Sequence, residues 1–275
     1  MLRSPLQWYD AYLFDLDGTI FLGDELLPGV ERLMAELRAR GRTVKFLSNN
    51  ATKDPAQYRE KLAGMGLEVP VEDIANTVVT TTQWLVAHHP GASLFVIGEE
   101  PLQRALREAR FRLTEDPAEV DIVVASYDRA FDYRKLQIAF DAIWFHKRAF
   151  LIETNPDRYC PFPGGRGEPD CAAITAAIEA CTGVKCQVSL GKPSPLMLEA
   201  ALGGHDLDPG RCLMVGDRLM TDIQMAIDAG MASALVLTGE STVDDVLARE
   251  ERSRPTYVVE RIDHLLPTLA PGGGA

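Results

Sequence analysis

Along this chain, short apolar runs bounded by turn residues alternate with longer stretches whose apolar positions recur every three or four residues. The short runs predict strands over 12–15, 44–48, 94–97, 121–125, 150–153, 212–215, 234–237 and 257–259. The longer stretches predict helices over 30–40, 55–65, 102–109, 134–146, 172–181, 195–202, 221–229 and 243–249. In the first of these, Val30, Leu33, Met34 and Leu37 share one face. Asp54 before Pro55 and Ser194 before Pro195 mark two helix starts, a side-chain cap followed by a proline whose missing N–H costs nothing there. Such alternation points to an α/β fold with mostly parallel strands. The closing Pro-Gly-Gly-Gly-Ala is expected to be frayed.

Composition narrows the classes of function. With 46% hydrophobic and 25% charged residues, the 275-residue chain has the balance of a folded protein and the length for one large or two smaller domains. Forty acidic against 28 basic residues leave a net charge of −12, which argues against nucleic acid as a partner. A small anionic substrate stays open if a metal ion or a few local cations offset that field. The N-terminal residues hold no apolar run of signal-peptide length, and no segment approaches the roughly 20 apolar residues that span a bilayer. No membrane partner and a cytoplasmic location are therefore expected. Cys160, Cys171, Cys181, Cys186 and Cys212 are odd in number and contain no Cys-x-x-Cys pair, so buried free thiols are expected rather than disulfides or a zinc site.

Ligands of open α/β sheets gather beyond the carboxyl ends of the strands, and four such ends here are polar. The first is Asp15-Leu16-Asp17-Gly18, where period-two alternation would aim both carboxylates to one side and Gly18 would let the chain turn away. Asp-x-Asp-Gly also occurs in calcium loops, but the following Thr19-Ile20-Phe21-Leu22 supplies none of the further oxygen ligands that loop needs. The second is Ser48-Asn49-Asn50, residues that equally serve as turn formers. The third is Gly191-Lys192-Pro193, where Lys192 is either a phosphate ligand or a solvated lysine. The fourth is Gly216-Asp217, followed by Asp222, which could also be a helix-start acid favoured by the dipole. Together they make a phosphoryl-transfer set: a carboxylate nucleophile, a carboxylate for proton transfer, a hydroxyl and amide cradle, a cation, and acids for a divalent metal.

On these residues the chain resembles the haloacid dehalogenase-like (HAD) superfamily, whose four motifs it matches in identity and order. Ser48-Asn49-Asn50, Thr154-Asn155-Pro156-Asp157, Gly191 to Pro195 and Val215 to Ile223 resemble the type IIA capped phosphatases, the 4-nitrophenylphosphatase and sugar-phosphate branch, from Tyr12 to Thr268. The resemblance implies a doubly wound, mostly parallel Rossmann-like HAD core with an inserted α/β cap domain: core over 1–89 and 186–275, cap over 90–185. It implies a Mg2+-dependent phosphatase that hydrolyses a small phosphomonoester (a sugar phosphate, glycerol phosphate, phosphoglycolate or nucleoside monophosphate) through an aspartyl-phosphate.

By the same resemblance Asp15 is the nucleophile and Asp17 the general acid and base, and true dehalogenases lack the second aspartate. Ser48 and Lys192 hold the phosphoryl group, with Asn49 and Asn50 as further donors. Magnesium is bound by Asp15, Asp217 and the Asp17 carbonyl, with Asp222 behind them. In the cap, Asn155 and Cys160 are candidate substrate contacts, along with Asp157 and Tyr159, although an Asn-Pro-Asp turn explains the pattern equally well. Cys160 stands where pyridoxal-phosphate-type members place a histidine, and Pro169-Asp170-Cys171 departs from a Pro-Gly segment of the branch. Met220 is expected to pack against its helix, and Trp84, Trp144 and Phe145 to be core or a dimer face, since related caps pair two subunits into a homodimer. His88-His89 is expected to close a helix rather than bind metal. The competing readings are a phosphorylatable receiver-like signalling module and a protein that binds phosphorylated metabolites without turnover.

Overall fold

A computed structural model describes residues 2–162, 164–203 and 207–267, so the C-terminal glycine-rich tail lies outside the described residues. The chain divides into two compact units, one of Met1–Leu47, Lys61–Ile74 and Ala201–Ala275, the other of Ser48–Glu60 and Ala75–Ala200.

In the first unit the strands lie in the order Tyr257–Val259, Ala232–Val236, Cys212–Gly216, Ala11–Asp15, Thr43–Ser48, with parallel pairing throughout. The central strands are apolar without interruption because both faces are covered, and Tyr12, Leu13, Phe14, Leu213, Met214 and Val215 have no exposed surface. From Ala11–Asp15 the chain moves to Thr43–Ser48 on one side and later returns to Cys212–Gly216 on the other. The strand order therefore reverses between the strands that end at Asp15 and at Gly216, where an open sheet of this kind leaves a crevice.

The second unit has its own parallel sheet, ordered Val188–Ser189, Phe150–Glu153, Ile122–Ala125, Ser93–Ile97, Arg112–Leu113. Its alternating side chains feed two cores. Phe95, Ile97, Val123, Ala125 and Leu151 face one with Ile138, Ile174 and Ile178 of the covering helices. Leu94, Val96, Ile122, Val124 and Ile152 face the other with Leu102 and Leu106. Both units are thus α/β layers around a parallel sheet, as the alternating pattern requires.

Helix starts follow the capping chemistry. The Gln57 N–H donates to Asp54 Oδ1 at 2.8 Å and the Asp54 N–H to Gln57 Oε1 at 2.8 Å, a reciprocal cap for Pro55–Gly64. Asp170 accepts from the Cys171 N–H at the start of Cys171–Thr182, the role taken by the residue that departs from the Pro-Gly segment. Thr77–His88 ends at the histidine pair, as expected, with His88 stacked on Trp84 and His89 against Phe150.

Several expectations change. The predicted helix over 134–146 is an α-helix, Tyr133–Phe140, that widens into a π-turn, Asp141–Phe145. Ile138, Ala139, Ala142 and Ile143 take the buried stripe, which leaves Trp144 and Phe145 at 54% and 66% exposure rather than in a core. The helix over 221–229 likewise opens as a π-turn, Leu219–Ile223, before Gln224–Asp228. Met220 on that turn is exposed, because Leu219 and Ile223 fill the buried side. Among the thiols, Cys171 and Cys212 are buried, Cys160 and Cys186 half-buried, and Cys181 exposed at the solvent face of its helix.

Candidate active site

The first unit gathers the carboxylates. Asp15 ends its strand nearly buried, and the strand beside it ends in Gly216-Asp217, so the two acids reach the same edge of the sheet at the point of strand reversal. One oxygen each from Asp15, Asp217 and Asp222 lie within 4.8 Å of one another. Asp217 is held from behind: its Oδ2 accepts from the Glu240 N–H at 2.7 Å, and its carbonyl accepts from the Ser241 N–H at 3.1 Å. Asp222 is fully buried and its Oδ2 accepts from the Arg218 N–H at 3.1 Å. It therefore closes the turn into its helix and also belongs to the carboxylate group.

Three glycines make room for these acids. A Cβ on Gly18 would lie 2.7 Å from Asp217 Oδ2, one on Gly239 1.9 Å from the same atom, and one on Gly216 2.3 Å from the Asp222 carboxylate. Gly18 also has φ of 85°, which no other residue adopts cheaply. An all-oxygen, all-anionic donor set matches a hard divalent cation such as Mg2+, which favours carboxylate ligands. Three carboxylates this close repel one another, and such a charge would relieve that repulsion.

Asp17 does not join that set. The strand stops at Asp15, so two-residue alternation does not extend to Asp17, and its exposed side chain belongs to the loop that Gly18 turns. The Gly18 N–H donates to the Phe21 carbonyl at 2.8 Å and the Gly18 carbonyl accepts from Thr238 Oγ1 at 2.7 Å, which fixes the loop between Asp17 and the hairpin Phe21–Leu22/Glu25–Leu26.

The second unit gathers the hydroxyl, amides and cation. Ser48 is buried, within hydrogen-bond distance of the Tyr58 hydroxyl at 3.1 Å, and its Oγ accepts from the Asn50 N–H at 3.2 Å. Asn50 accepts from the Thr52 N–H at 2.8 Å, so the three-residue segment is a tight turn as well as a donor array. Lys192, 2% exposed, is not a solvated lysine. Its N–H donates to Asn49 Oδ1 at 2.7 Å and its carbonyl accepts from Asn49 Nδ2 at 3.1 Å. The Lys192–Pro193 bond is cis.

Asn49 and Asn155 are placed differently from expectation. The Asn49 amide is committed to the Lys192 backbone, and fully buried Asn155 donates its Nδ2 to the Asn49 carbonyl at 3.0 Å while its Oδ1 accepts from the Asp157 N–H at 2.9 Å. Both ends of the Asn155 amide thus serve backbone, which is the Asn-Pro-Asp turn. Cys160 lies half-buried on a hairpin, Tyr159–Phe162 with Arg166–Pro169.

Two features of the site escape the reading of strand ends. Residues 238–241, beyond Ala232–Val236, supply the Glu240 N–H and the Gly239 gap around Asp217; the Thr-Gly-Glu-Ser after an apolar run was the available signal. Tyr127 and Arg129 anchor the hairpin: the Tyr127 hydroxyl donates to Glu168, Arg129 Nε donates to Glu168 at 2.8 Å, and the guanidinium stacks 4.8 Å from the Tyr127 ring. Burial, reinforced by that bond, raises the Tyr127 phenol above its ordinary value, whereas the two bonds hold the Glu168 carboxyl below its own.

Known proteins resemble the chain over nearly its whole length. Residues 12–112 match a family model described as haloacid dehalogenase-like hydrolase, and residues 189–265 match a second, HAD-hydrolase-like model. An acid sugar phosphatase of Staphylococcus aureus is 35% identical over 265 residues, 96% of this chain and 99% of the relative. The crystal structure of 4-nitrophenylphosphatase from Thermotoga maritima superposes with a TM-score of 0.88 at 31% identity, covering 95% of this chain and 98% of that one. A glycerol phosphate phosphatase from Mycobacterium tuberculosis, solved in complex with calcium, gives 0.82 at 28% identity, over 94% of this chain and 74% of its own. Among the described residues no helix is long and apolar enough to cross a membrane.

Proposed function

Because the chain belongs to the haloacid dehalogenase-like hydrolases, in their type IIA phosphatase branch, we propose that it hydrolyses small phosphomonoesters, sugar phosphates foremost, through a phosphorylated Asp15. The observation that carries this reading is the group of Asp15, Asp217 and Asp222 at the ends of the two strands where the sheet order reverses.

The Asp15 carboxylate attacks phosphorus, a P–O bond to it forms, and the bond to the ester oxygen breaks. Asp17, in the exposed loop, gives its proton to the departing alkoxide. It then takes a proton from water as the water oxygen attacks the same phosphorus, which releases inorganic phosphate and restores both carboxyls. Ser48 and Lys192 hold the phosphoryl oxygens, with the side-chain Nδ2 of Asn50 as a further donor. Asp15, Asp217 and Asp222, with the Asp17 carbonyl, would hold Mg2+, which supplies positive charge against the repulsion between an anionic nucleophile and an anionic ester. In this reading 90–185 is the cap between core segments 1–89 and 186–275, Cys160 meets the leaving group, and the protein is a cytoplasmic homodimer paired through the cap.

The test is phosphate release from sugar phosphates, glycerol phosphate, phosphoglycolate, nucleoside monophosphates and 4-nitrophenyl phosphate, with magnesium and with a chelator. Metal-dependent multiple turnover, lost by a factor of about 10^3 or more in a folded Asp15→Asn protein, is expected. A stoichiometric single phosphorylation would favour the receiver-like module, and binding without release the non-turnover protein.

A further inference from the structure

The reciprocal pair between Asn49 and Lys192 joins residues 143 apart in sequence. One side-chain amide satisfies both backbone polar groups of the lysine, with Asn49 Oδ1 accepting from the Lys192 N–H at 2.7 Å and Asn49 Nδ2 donating to its carbonyl at 3.1 Å. Both residues are buried, at 7% and 2% exposure. Asn49 is itself braced: its carbonyl accepts from Thr77 Oγ1 at 2.9 Å and from Asn155 Nδ2 at 3.0 Å. The junction is closed to any side chain at Gly191, where a Cβ would lie 2.7 Å from Asn49 Oδ1 and 2.8 Å from both Asn155 Cβ and the Thr154 carbonyl.

From this geometry we infer that Asn49 is a positioning residue that fixes the backbone of Lys192, and through it the lysine ammonium, rather than a donor to substrate. The inference rests on the reading that Lys192 grips the phosphoryl group. One acceptor site and one N–H of the Asn49 amide are committed to Lys192, and the residue is 7% exposed, so positioning Lys192 accounts for its side chain without a contact to substrate. A lysine has a long, mobile stem, and the position of its charge depends on where its Cα is held. Two opposed bonds to one residue's backbone restrain both its translation and its tilt, which a single bond would not do. Thr77 and Asn155 act in the same way on Asn49, and this accounts for a fully buried Asn155 whose amide is spent on backbone and on its neighbour Thr154.

A double-mutant cycle tests this, with kcat/KM on one substrate and the inhibition constant of inorganic phosphate as readouts. Asn49→Ala is expected to lower kcat/KM by about 10^2-fold and weaken phosphate inhibition, because a displacement of about 1 Å has an effect of that order. In a Lys192→Ala background the same change is expected to cost less than about 2-fold, since its route is already gone. Asn49→Asp, isosteric but unable to donate to the Lys192 carbonyl, serves if the alanine variant does not fold; it too should lose activity in the parent and little in Lys192→Ala. Full multiplication of the two losses would overturn the inference and leave the role of Lys192 standing. Wild-type kinetics in Lys192→Ala would overturn the reading of Lys192, and the inference with it.

Discussion

A methyl group on Gly239 would stand 1.9 Å from Oδ2 of Asp217, the oxygen that accepts from the Glu240 N–H. Gly239 does not adopt a positive φ, so alanine meets no left-handed backbone penalty there, and its nearest conflicts are with the Asp217 carboxylate and, at 2.6 Å, the Asp217 Cβ. Gly239→Ala is therefore expected to push Asp217 out of the carboxylate group, in a protein whose circular dichroism stays that of the parent. Half-maximal activity should require about 10- to 100-fold more magnesium, the usual effect of disturbing what orients a ligand. A magnesium titration of the variant checks this, and an unchanged requirement would remove Asp217 from the metal site.

Lys45 and Asp73 give a prediction about the strand that leads to Ser48. Lys45 is buried on Thr43–Ser48, and its Nζ donates to Asp73 Oδ1 at 2.8 Å and to the Glu72 carbonyl at 3.3 Å. Asp73→Ala leaves the ammonium in the interior with only a carbonyl, and about 2 kcal/mol of stability should be lost. Lys45→Met exchanges the pair for an apolar side chain of similar length and should fall within about 1 kcal/mol of the parent. Urea unfolding of both variants decides it; equal destabilisation would mean that the ion pair itself, not the stranded charge, matters.

Glu153 predicts a pH dependence. It is 9% exposed at the end of Phe150–Glu153, and burial lifts its carboxyl above the ordinary 4.5, against the opposing effect of the nearby Thr175 and Ser189 hydroxyls and with the charges of Glu179 and Asp157 adding to the rise. A carboxyl raised in the folded state leaves stability intact below its unfolded value and costs stability as pH climbs through the folded one. Glu153→Gln never ionises. It should match the parent in melting temperature at about pH 4 and exceed it increasingly toward about pH 8. Parallel melting curves across that range would mean that Glu153 titrates normally.

Asp15, Asp217 and the parallel sheets were legible because each rests on a local rule, an apolar run buried on both faces that ends in a polar residue. What escaped depends on contacts between distant segments. Asn49 reads as a turn former until Lys192 is brought beside it, and the gap at Gly239 has meaning only next to Asp217. Two-residue strands such as Arg112–Leu113 and Val188–Ser189 are too short to show a period, and the hairpin over Tyr159–Pro169 carries prolines and glycines that mask its pairing. The helix rule holds only in part at 134–146 and 221–229, where a π-turn interrupts the α-helical register; Met220 is exposed rather than packed, and Trp144 is on the surface rather than in a core.

The exposed position of Asp17, one residue before the turn at Gly18 and outside the carboxylate group, separates its chemistry from that of Asp15. In the proposed mechanism, a general acid at Asp17 would matter in proportion to how poorly the ester oxygen carries charge. Asp17→Asn should therefore slow the cleavage of alkyl phosphates such as glycerol phosphate by about 10^2- to 10^4-fold. With 4-nitrophenyl phosphate the leaving phenolate needs no proton, so phosphorylation of Asp15 proceeds. Hydrolysis of the phosphorylated aspartate still lacks its base, and this second step becomes limiting. The expected record is a burst of one equivalent of 4-nitrophenolate per active site followed by slow turnover, seen in rapid-mixing absorbance. Equal losses on both substrates with no burst would assign proton transfer to another group.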